Sequence, residues 1–218
     1  MKKNQNQINL VSKLGFLLGF ISLTLTLQGY FREKPFEQPK NYPVSIRGTQ
    51  PLVMKGGNPY IRALMRTITA SEANVAEPYH VIYGGSKVTD LTTHPNRCIP
   101  ITVGVNQGKC STASGRYQML NFVWDEKAAL YHPHPNGLLW WKQYSFEPEY
   151  QDAVVYGWLS DRSVWGADLT ELLKAGEIET VLKLLSGTWT SLGYGIETNS
   201  MSRYLPEIYQ NMLQEELS

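Results

Sequence analysis

The side chain best placed to do chemistry is Glu72, in the stretch NPYIRALMRTITASEAN at 58–74. Ile61, Leu64, Met65 and Ile68 recur at the offsets that line one face of an α-helix, and the next turn of that face lands on Glu72. An acid on a buried stripe, close to the negative C-terminal pole of its helix, is disfavoured as a carboxylate by desolvation and by the helix dipole. The stretch therefore predicts a raised pKa. A carboxyl still protonated near neutral pH can serve as a general acid, the device used on glycosidic bonds. The competing reading sets Glu72 just past the helix end in solvent, where most glutamates lie.

Other reactive residue types carry less. Cys98 and Cys110 flank a segment rich in turn-formers and β-branched residues. A hairpin there would bring them within disulfide distance in an oxidising compartment, and two unrelated thiols are the alternative. No CxxC and no Cys/His cluster at zinc spacing is present, so neither a metal nor a cofactor is expected. His132 and His134, in a His-Pro-His-Pro run, read as solvated loop residues. Trp140-Trp141 reads as a core anchor in preference to a sugar platform.

The elements that must position Glu72 follow from periodicity and turn chemistry. Asn58 can cap the helix, with Pro59 in its first turn. Val81 to Tyr83 and Ile101 to Gly104 read as short strands, joined by turn-rich segments that include NQGKCSTASG. Helical spacing returns with Tyr117, Leu120, Val123 and Trp124. It continues through Tyr150 to Leu159, through Leu169 to Leu173 behind a cap at Asp168 or Thr170, through Ile178 to Leu185, and from about Ser200 to Leu217. The fold class is α+β, mostly helical with a small β-hairpin region.

The chain has 218 residues, enough for one domain with a proper core or a domain with a tail. A hydrophobic fraction of 42% and a charged fraction of 18% place that domain among globular proteins, and a net charge of +1 gives no support to nucleic acid binding. Segment 1–13 carries Lys2, Lys3 and Lys13 with no acid, and 14–31 has no charged residue. This pattern predicts a signal anchor or signal peptide; an uncleaved anchor is favoured, with the remainder outside. Residues 32–56 carry repeated prolines and no sustained period, which predicts a tether. The globular domain is expected over 57–218, exported to the cell envelope in the periplasm or on the outer face of the inner membrane.

Three blocks stand in a fixed order: Ser71-Glu72; Val81-Ile82-Tyr83-Gly84-Gly85 with Thr89-Asp90 and His94-Pro95 behind it; and Ser111-Thr112-Ala113-Ser114-Gly115-Arg116-Tyr117-Gln118. Together with Phe146, Gln151-Asp152-Ala153-Val154, Trp189-Thr190-Ser191-Leu192 and Tyr194-Gly195, they resemble the phage lambda lysozyme (endolysin) family, glycoside hydrolase family 104. Members of that family are peptidoglycan lytic transglycosylases with a lysozyme-like fold.

The resemblance implies that Glu72 is the sole catalytic acid, giving its proton to the glycosidic oxygen and then taking one from the muramyl 6-hydroxyl. It implies that Tyr117 and Gln118 line the floor of a saccharide cleft, that Ser114 and Arg116 fix that turn, and that Tyr194 lies on the substrate side. Asp90 is a substrate-side or structural acid, with the structural role favoured. Two departures stand out: His80 where the family has Asp, and a shorter loop between Leu192 and Tyr194. A Cys98–Cys110 bridge, absent from the phage pattern, would pin the other lip of the cleft. The implied partners are glycan strands of peptidoglycan and, through the N-terminal segment, the membrane; the protein is expected to be a monomer. A lysozyme-type hydrolase and a catalytically silent wall-binding module are the alternatives.

Overall fold

Helix α1 (Pro59–Glu72) lies at the centre of the domain, and its sequence explains both its start and its burial. The Asn58 side chain accepts the Tyr60 N–H at 2.9 Å and Pro59 occupies the first turn, as the sequence predicts. Ile61, Leu64, Met65 and Ile68 are each fully buried, and burial of each such side chain contributes about 1.5–3 kcal/mol. The periodicity suggests one buried face, yet Arg66, Thr67 and Thr69 are buried too. These polar side chains are tolerated because each is bonded. The Thr67 and Thr69 hydroxyls donate back to the carbonyls of Ala63 and Met65, and Arg66 pairs with Glu215 and Glu216.

The computed structural model describes residues 48–137, 142–194 and 200–218. The expected basic segment, the membrane span, tether residues 32–47, and Trp140 and Trp141 lie outside the described residues. Among the described residues no helix is long and apolar enough to cross a membrane. The described residues all belong to the unit Tyr42–Ser218.

After α1 come two 3₁₀ turns (Pro78–His80 and Tyr83–Gly85), strands β1 (Ile99–Pro100) and β2 (Cys110–Ser111), and helices α2 (Asn121–Tyr131), α3 (Pro148–Ser160), α4 (Arg162–Trp165), α5 (Leu169–Lys174), α6 (Ile178–Leu185) and α7 (Leu205–Leu217). Short 3₁₀ turns at Thr190–Leu192 and Ser202–Tyr204 precede α7. Helices α6 and α7 bury Ile178, Val181, Leu182 and Leu185, and Leu205, Ile208, Tyr209 and Met212, each set at helical offsets. Helix α7 makes the most extensive packing against α1. Asp168, not Thr170, caps α5, accepting the N–H groups of Thr170 and Glu171.

Strand content is smaller than expected. Strands β1 and β2 form one antiparallel pair, Ile99 opposite Ser111 and Pro100 opposite Cys110. Of the expected strand Ile101 to Gly104 only Ile101 keeps cross-strand bonds, its N–H to the Lys109 carbonyl at 2.8 Å and its carbonyl to the Gly108 N–H at 3.0 Å, and the chain then turns through Gly104 and Gly108 at positive φ. Val81 and Ile82 make only isolated bridges, to Lys87 and Ser114. Helix α2 begins at Asn121, later than the Tyr117 spacing suggests, because Gly115 (φ 74°) and Gln118 (φ 45°) form a tight turn first.

The folded part also starts before Gly57. Thr49 and Leu52 are buried, and the Val53 and Met54 N–H groups donate to Asp152 Oδ2 at 2.8 and 3.1 Å. Residues 49–54, expected in the tether, are thus part of the domain.

His94 and His132 share one local device. Each is followed by proline, and each Nδ1 accepts a backbone N–H two residues on, from Asn96 at 3.1 Å and from His134 at 3.2 Å. Each Nε2 then donates to a distant carbonyl, Met119 or Ser145, at 2.9 and 3.1 Å. His132 is 8% exposed and stacks on Tyr150, so it is a core residue, whereas His134 is exposed. The device requires the neutral ring, and burial depresses both pKa values. The unfolded chain therefore takes up these protons first as pH falls. The stability due to the two neutral rings is complete above about pH 6.5 and is lost progressively below it. Thermal unfolding at pH 7 and pH 5 should show a drop at pH 5 that is smaller in a His94→Gln/His132→Gln variant; an equal drop would show that these rings do not sense pH.

Candidate active site

Glu72 is the last residue of α1, whose C-cap Ala73 closes on the Thr69 carbonyl at 2.9 Å. It is half-buried, and it lines a cleft of about 970 Å³. One wall of the cleft is the segment Val81–Gly85, where Gly84 and Gly85 take φ of 81° and 87°. A lip beside it is the hairpin loop that carries Ile101, Val103 and Val105. Val103 and Val105 are 74% and 73% exposed, an apolar rim on an otherwise mixed surface. Thr188 to Ser191 line it as well. Among the described residues, Glu72, Tyr83 and Lys109 are the titratable side chains that line the cleft, and Glu72 is the acid.

Gln118 also lines the cleft. Its left-handed backbone is uncommon for a residue with a side chain, and the side chain itself holds it, since Nε2 donates to the carbonyls of Gly115 at 2.9 Å and Val81 at 3.2 Å. Gly115 allows no substitute. A Cβ there would lie 2.2 Å from Gln151 Oε1 and 2.8 Å from Phe146 Cζ.

The other residues expected on the substrate side divide differently. Tyr117 is 1% exposed and lies beneath the cleft, not on its floor. Its hydroxyl donates to Asp152 Oδ1 at 2.6 Å, and burial together with the Asp152 charge pushes the phenol well above its usual pKa. Arg116 is fully buried, donating to Thr69 Oγ1 at 2.8 Å, to the Tyr79 hydroxyl and Pro51 carbonyl at 3.0 Å each, and to the Gln50 carbonyl. Ser114 is buried with its hydroxyl on the Thr112 carbonyl. Both fix the turn and neither lines the cleft. Asp90 is exposed and away from it, with Oδ1 accepting the Thr92 hydroxyl and N–H. Those two bonds hold its carboxyl below the ordinary range, so its role is to shape a turn. Tyr194 is 47% exposed and is not among the cleft-lining residues.

Cys98 and Cys110 are disulfide-bonded, with Cα atoms 5.3 Å apart. The bridge closes the base of the hairpin whose tip is the apolar lip.

Ser191 stands in one of the sequence blocks but carries no site role there, and the structure brings it to the site. It comes 119 positions after Glu72, yet its hydroxyl bonds Glu72 Oε1. No local pattern could have paired them. Trp189, two residues earlier, donates its indole N–H to the Tyr117 carbonyl at 3.0 Å, which joins this side of the cleft to the Gly115–Gln118 turn.

The family model described as Endolysin matches residues 62–214. The chain belongs to the Endolysin family. The endolysin of Escherichia phage lambda is 31% identical over 120 residues, which cover 54% of this chain and 64% of that protein, so the match spans just under two thirds of the relative. Two solved structures share the fold. The bacteriophage lambda lysozyme complexed with a chitohexasaccharide has a TM-score of 0.51 at 22% identity, covering 73% of this chain and 97% of the other. A second structure, lysozyme from bacteriophage lambda, has a TM-score of 0.51 at 22% identity, with 75% and 97% covered. The lysozyme-like architecture that the sequence blocks imply is therefore the fold of this member of the family.

The lip supplies a test. A two-residue strand pair is marginal alone, and a bridge closing a short loop contributes about 3 kcal/mol. A Cys98→Ser/Cys110→Ser variant is expected to lower the thermal midpoint and to speed tryptic cleavage after the exposed Lys109, read by mass spectrometry. Equal cleavage rates would show that the hairpin holds without its bridge.

Proposed function

We propose that this chain is a peptidoglycan lytic transglycosylase that cuts the β-1,4 bond between N-acetylmuramic acid and N-acetylglucosamine. The observation that carries the reading is one half-buried carboxyl, Glu72, lining a cleft of about 970 Å³ at the end of the central helix. Protonated Glu72 gives its proton to the leaving glycosidic oxygen while the substrate's acetamido group meets the positive charge at the anomeric carbon. The Glu72 carboxylate then takes the proton of the muramyl 6-hydroxyl, whose oxygen closes the 1,6-anhydro ring. One carboxyl serves as acid and then as base, and no water is consumed.

Ordinary inverting and retaining hydrolases need two carboxylates across the scissile bond. Glu72 is the sole acid among the described residues lining the cleft, which favours the single-acid route over a lysozyme-type hydrolase. That lambda lysozyme is known complexed with a chitohexasaccharide supports a glycan as the occupant. Gln118, fixed by its own side chain, supplies a rigid polar contact on the wall. The uncharged segment 14–31 would tether this activity to the envelope outside the cytoplasm, within reach of the cell's own wall.

Replacing Glu72 with Gln preserves shape and removes the proton. The full-length Glu72→Gln protein is expected to keep its thermal transition and to lose about 100- to 10,000-fold in the rate of turbidity loss from peptidoglycan suspensions. Mass spectrometry of wild-type products should show muropeptides ending in anhydromuramic acid, one water lighter than hydrolytic products. Reducing ends would assign a hydrolase, and binding without release would assign a silent wall-binding module.

A further inference from the structure

Ser191 sits where a single hydroxyl can answer to both forms of Glu72. It is 9% exposed, in the 3₁₀ turn Thr190–Leu192, and that turn is held at several points. The Ser202 hydroxyl donates to the Ser191 carbonyl at 2.8 Å, Leu192 is 1% exposed, and the Trp189 indole holds the Tyr117 carbonyl. Gly193, at φ 100°, packs so closely on Ser202 that a Cβ would lie 2.6 Å from that side chain's Cβ. The Ser191 hydroxyl is thus placed by its backbone and has little freedom to leave Glu72.

Ser191 Oγ bonds Glu72 Oε1 and lies 3.1 Å from Ser71 Oγ. Ser71 in turn donates to the Ile68 carbonyl at 3.0 Å, one turn back along α1. A serine hydroxyl has one hydrogen to give and two lone pairs to accept with. Because the Ser71 hydrogen points at Ile68, Ser71 presents a lone pair to Ser191. The Ser191 hydrogen therefore has two acceptors, and the charge on Glu72 chooses between them. When Glu72 is ionised, Ser191 donates to it. When Glu72 is protonated on that oxygen, the carboxyl donates to Ser191, and Ser191 passes its own hydrogen to Ser71.

We propose that Ser191 is the positioning residue for Glu72, a reversible hydroxyl that holds the carboxyl in one place through both its acid and its base steps. The inference rests on Glu72 being the proton donor and acceptor proposed above. The two arrangements are not equally strong. A hydrogen bond to an ionised acceptor is worth about twice a neutral one, so Ser191 stabilises the carboxylate more than the acid. Tyr83 on the Val81–Gly85 wall and Lys109 on the hairpin lip are the other titratable groups lining this cleft among the described residues. The Thr190–Leu192 turn and the last turn of α1 add none apart from Glu72.

The test compares full-length wild type, Ser191→Ala, Ser191→Thr and Glu72→Gln for peptidoglycan cleavage as a function of pH, with thermal unfolding of each. Activity requires protonated Glu72 at the start of the cycle, so it is lost on the alkaline side as that proton leaves. Without the Ser191 donor the carboxylate is less stabilised, and the alkaline limb of the Ser191→Ala profile should move to higher pH by about one unit. Its kcat should fall about 10- to 100-fold as the carboxyl loses its fixed orientation, with KM changed less than about twofold. Ser191→Thr keeps a hydroxyl and should restore both the limb and most of the rate. A Ser191→Ala protein with an unmoved limb, whatever its rate, would overturn the proposal, as would a Ser191→Thr protein no better than the alanine variant. If Glu72→Gln remained active, the reading of Glu72 itself would fall; if it were dead while the Ser191→Ala limb stayed put, only the role of Ser191 would fall.

Discussion

Two full charges with no access to water, Arg116 and Asp152, hold this domain together through one tyrosine. The Tyr79 hydroxyl donates to Asp152 Oδ2 at 2.8 Å and accepts from Arg116 Nη1 and from the Val53 N–H, each at 3.0 Å. Asp152 also takes the Tyr117 hydroxyl and the N–H groups of Val53 and Met54. Burying such charges is costly, and the cost is offset only where every donor and lone pair finds a partner. Removing one member leaves the rest uncompensated, which typically destabilises a protein by about 3–5 kcal/mol. The array draws together segment 50–54, helix α1 through Thr69, the first 3₁₀ turn, the Gly115–Gln118 turn and helix α3, elements far apart along the chain.

The cleft inherits its shape from that array. Gln151, next to Asp152 on α3, accepts the Arg116 N–H at 2.9 Å and donates to the carbonyls of Tyr79 and Phe146. With Gly115 wedged against Gln151 and Phe146, the turn has one place to go, and Gln118 emerges from it on the cleft wall. The Tyr117 carbonyl then fixes Trp189, and Trp189 leads directly to Ser191 and so to Glu72. Residues that do not line the cleft thus determine where Glu72 stands.

Local patterns made α1, its Asn58 cap, helices α3, α5 and α6, and the position of Glu72 legible in the sequence, since each depends on spacing within one turn or two. The ordered blocks carried the family and its fold. What stayed hidden was long-range. Nothing near Tyr117 says that its ring faces Asp152, 35 positions away, so it reads as a floor residue when it is a pillar. Residues 49–54 read as tether because they lack a period of their own, and their order comes from backbone bonds to Asp152. His132 reads as solvated because the Pro-rich run around it is exposed, while its ring is turned into the core. A polar Gln-Asp pair inside the apolar run of α3 was the one visible sign of the buried array.

The most direct measurement is amide hydrogen exchange on an Asp152→Asn variant, which keeps the shape and removes the charge. Faster exchange concentrated at residues 53–54 and 115–119, accompanied by loss of peptidoglycan cleavage while α6 stays protected, is the result this account predicts. Wild-type protection of the Gly115–Gln118 turn, with cleavage intact, would contradict the claim that the buried charge builds the cleft.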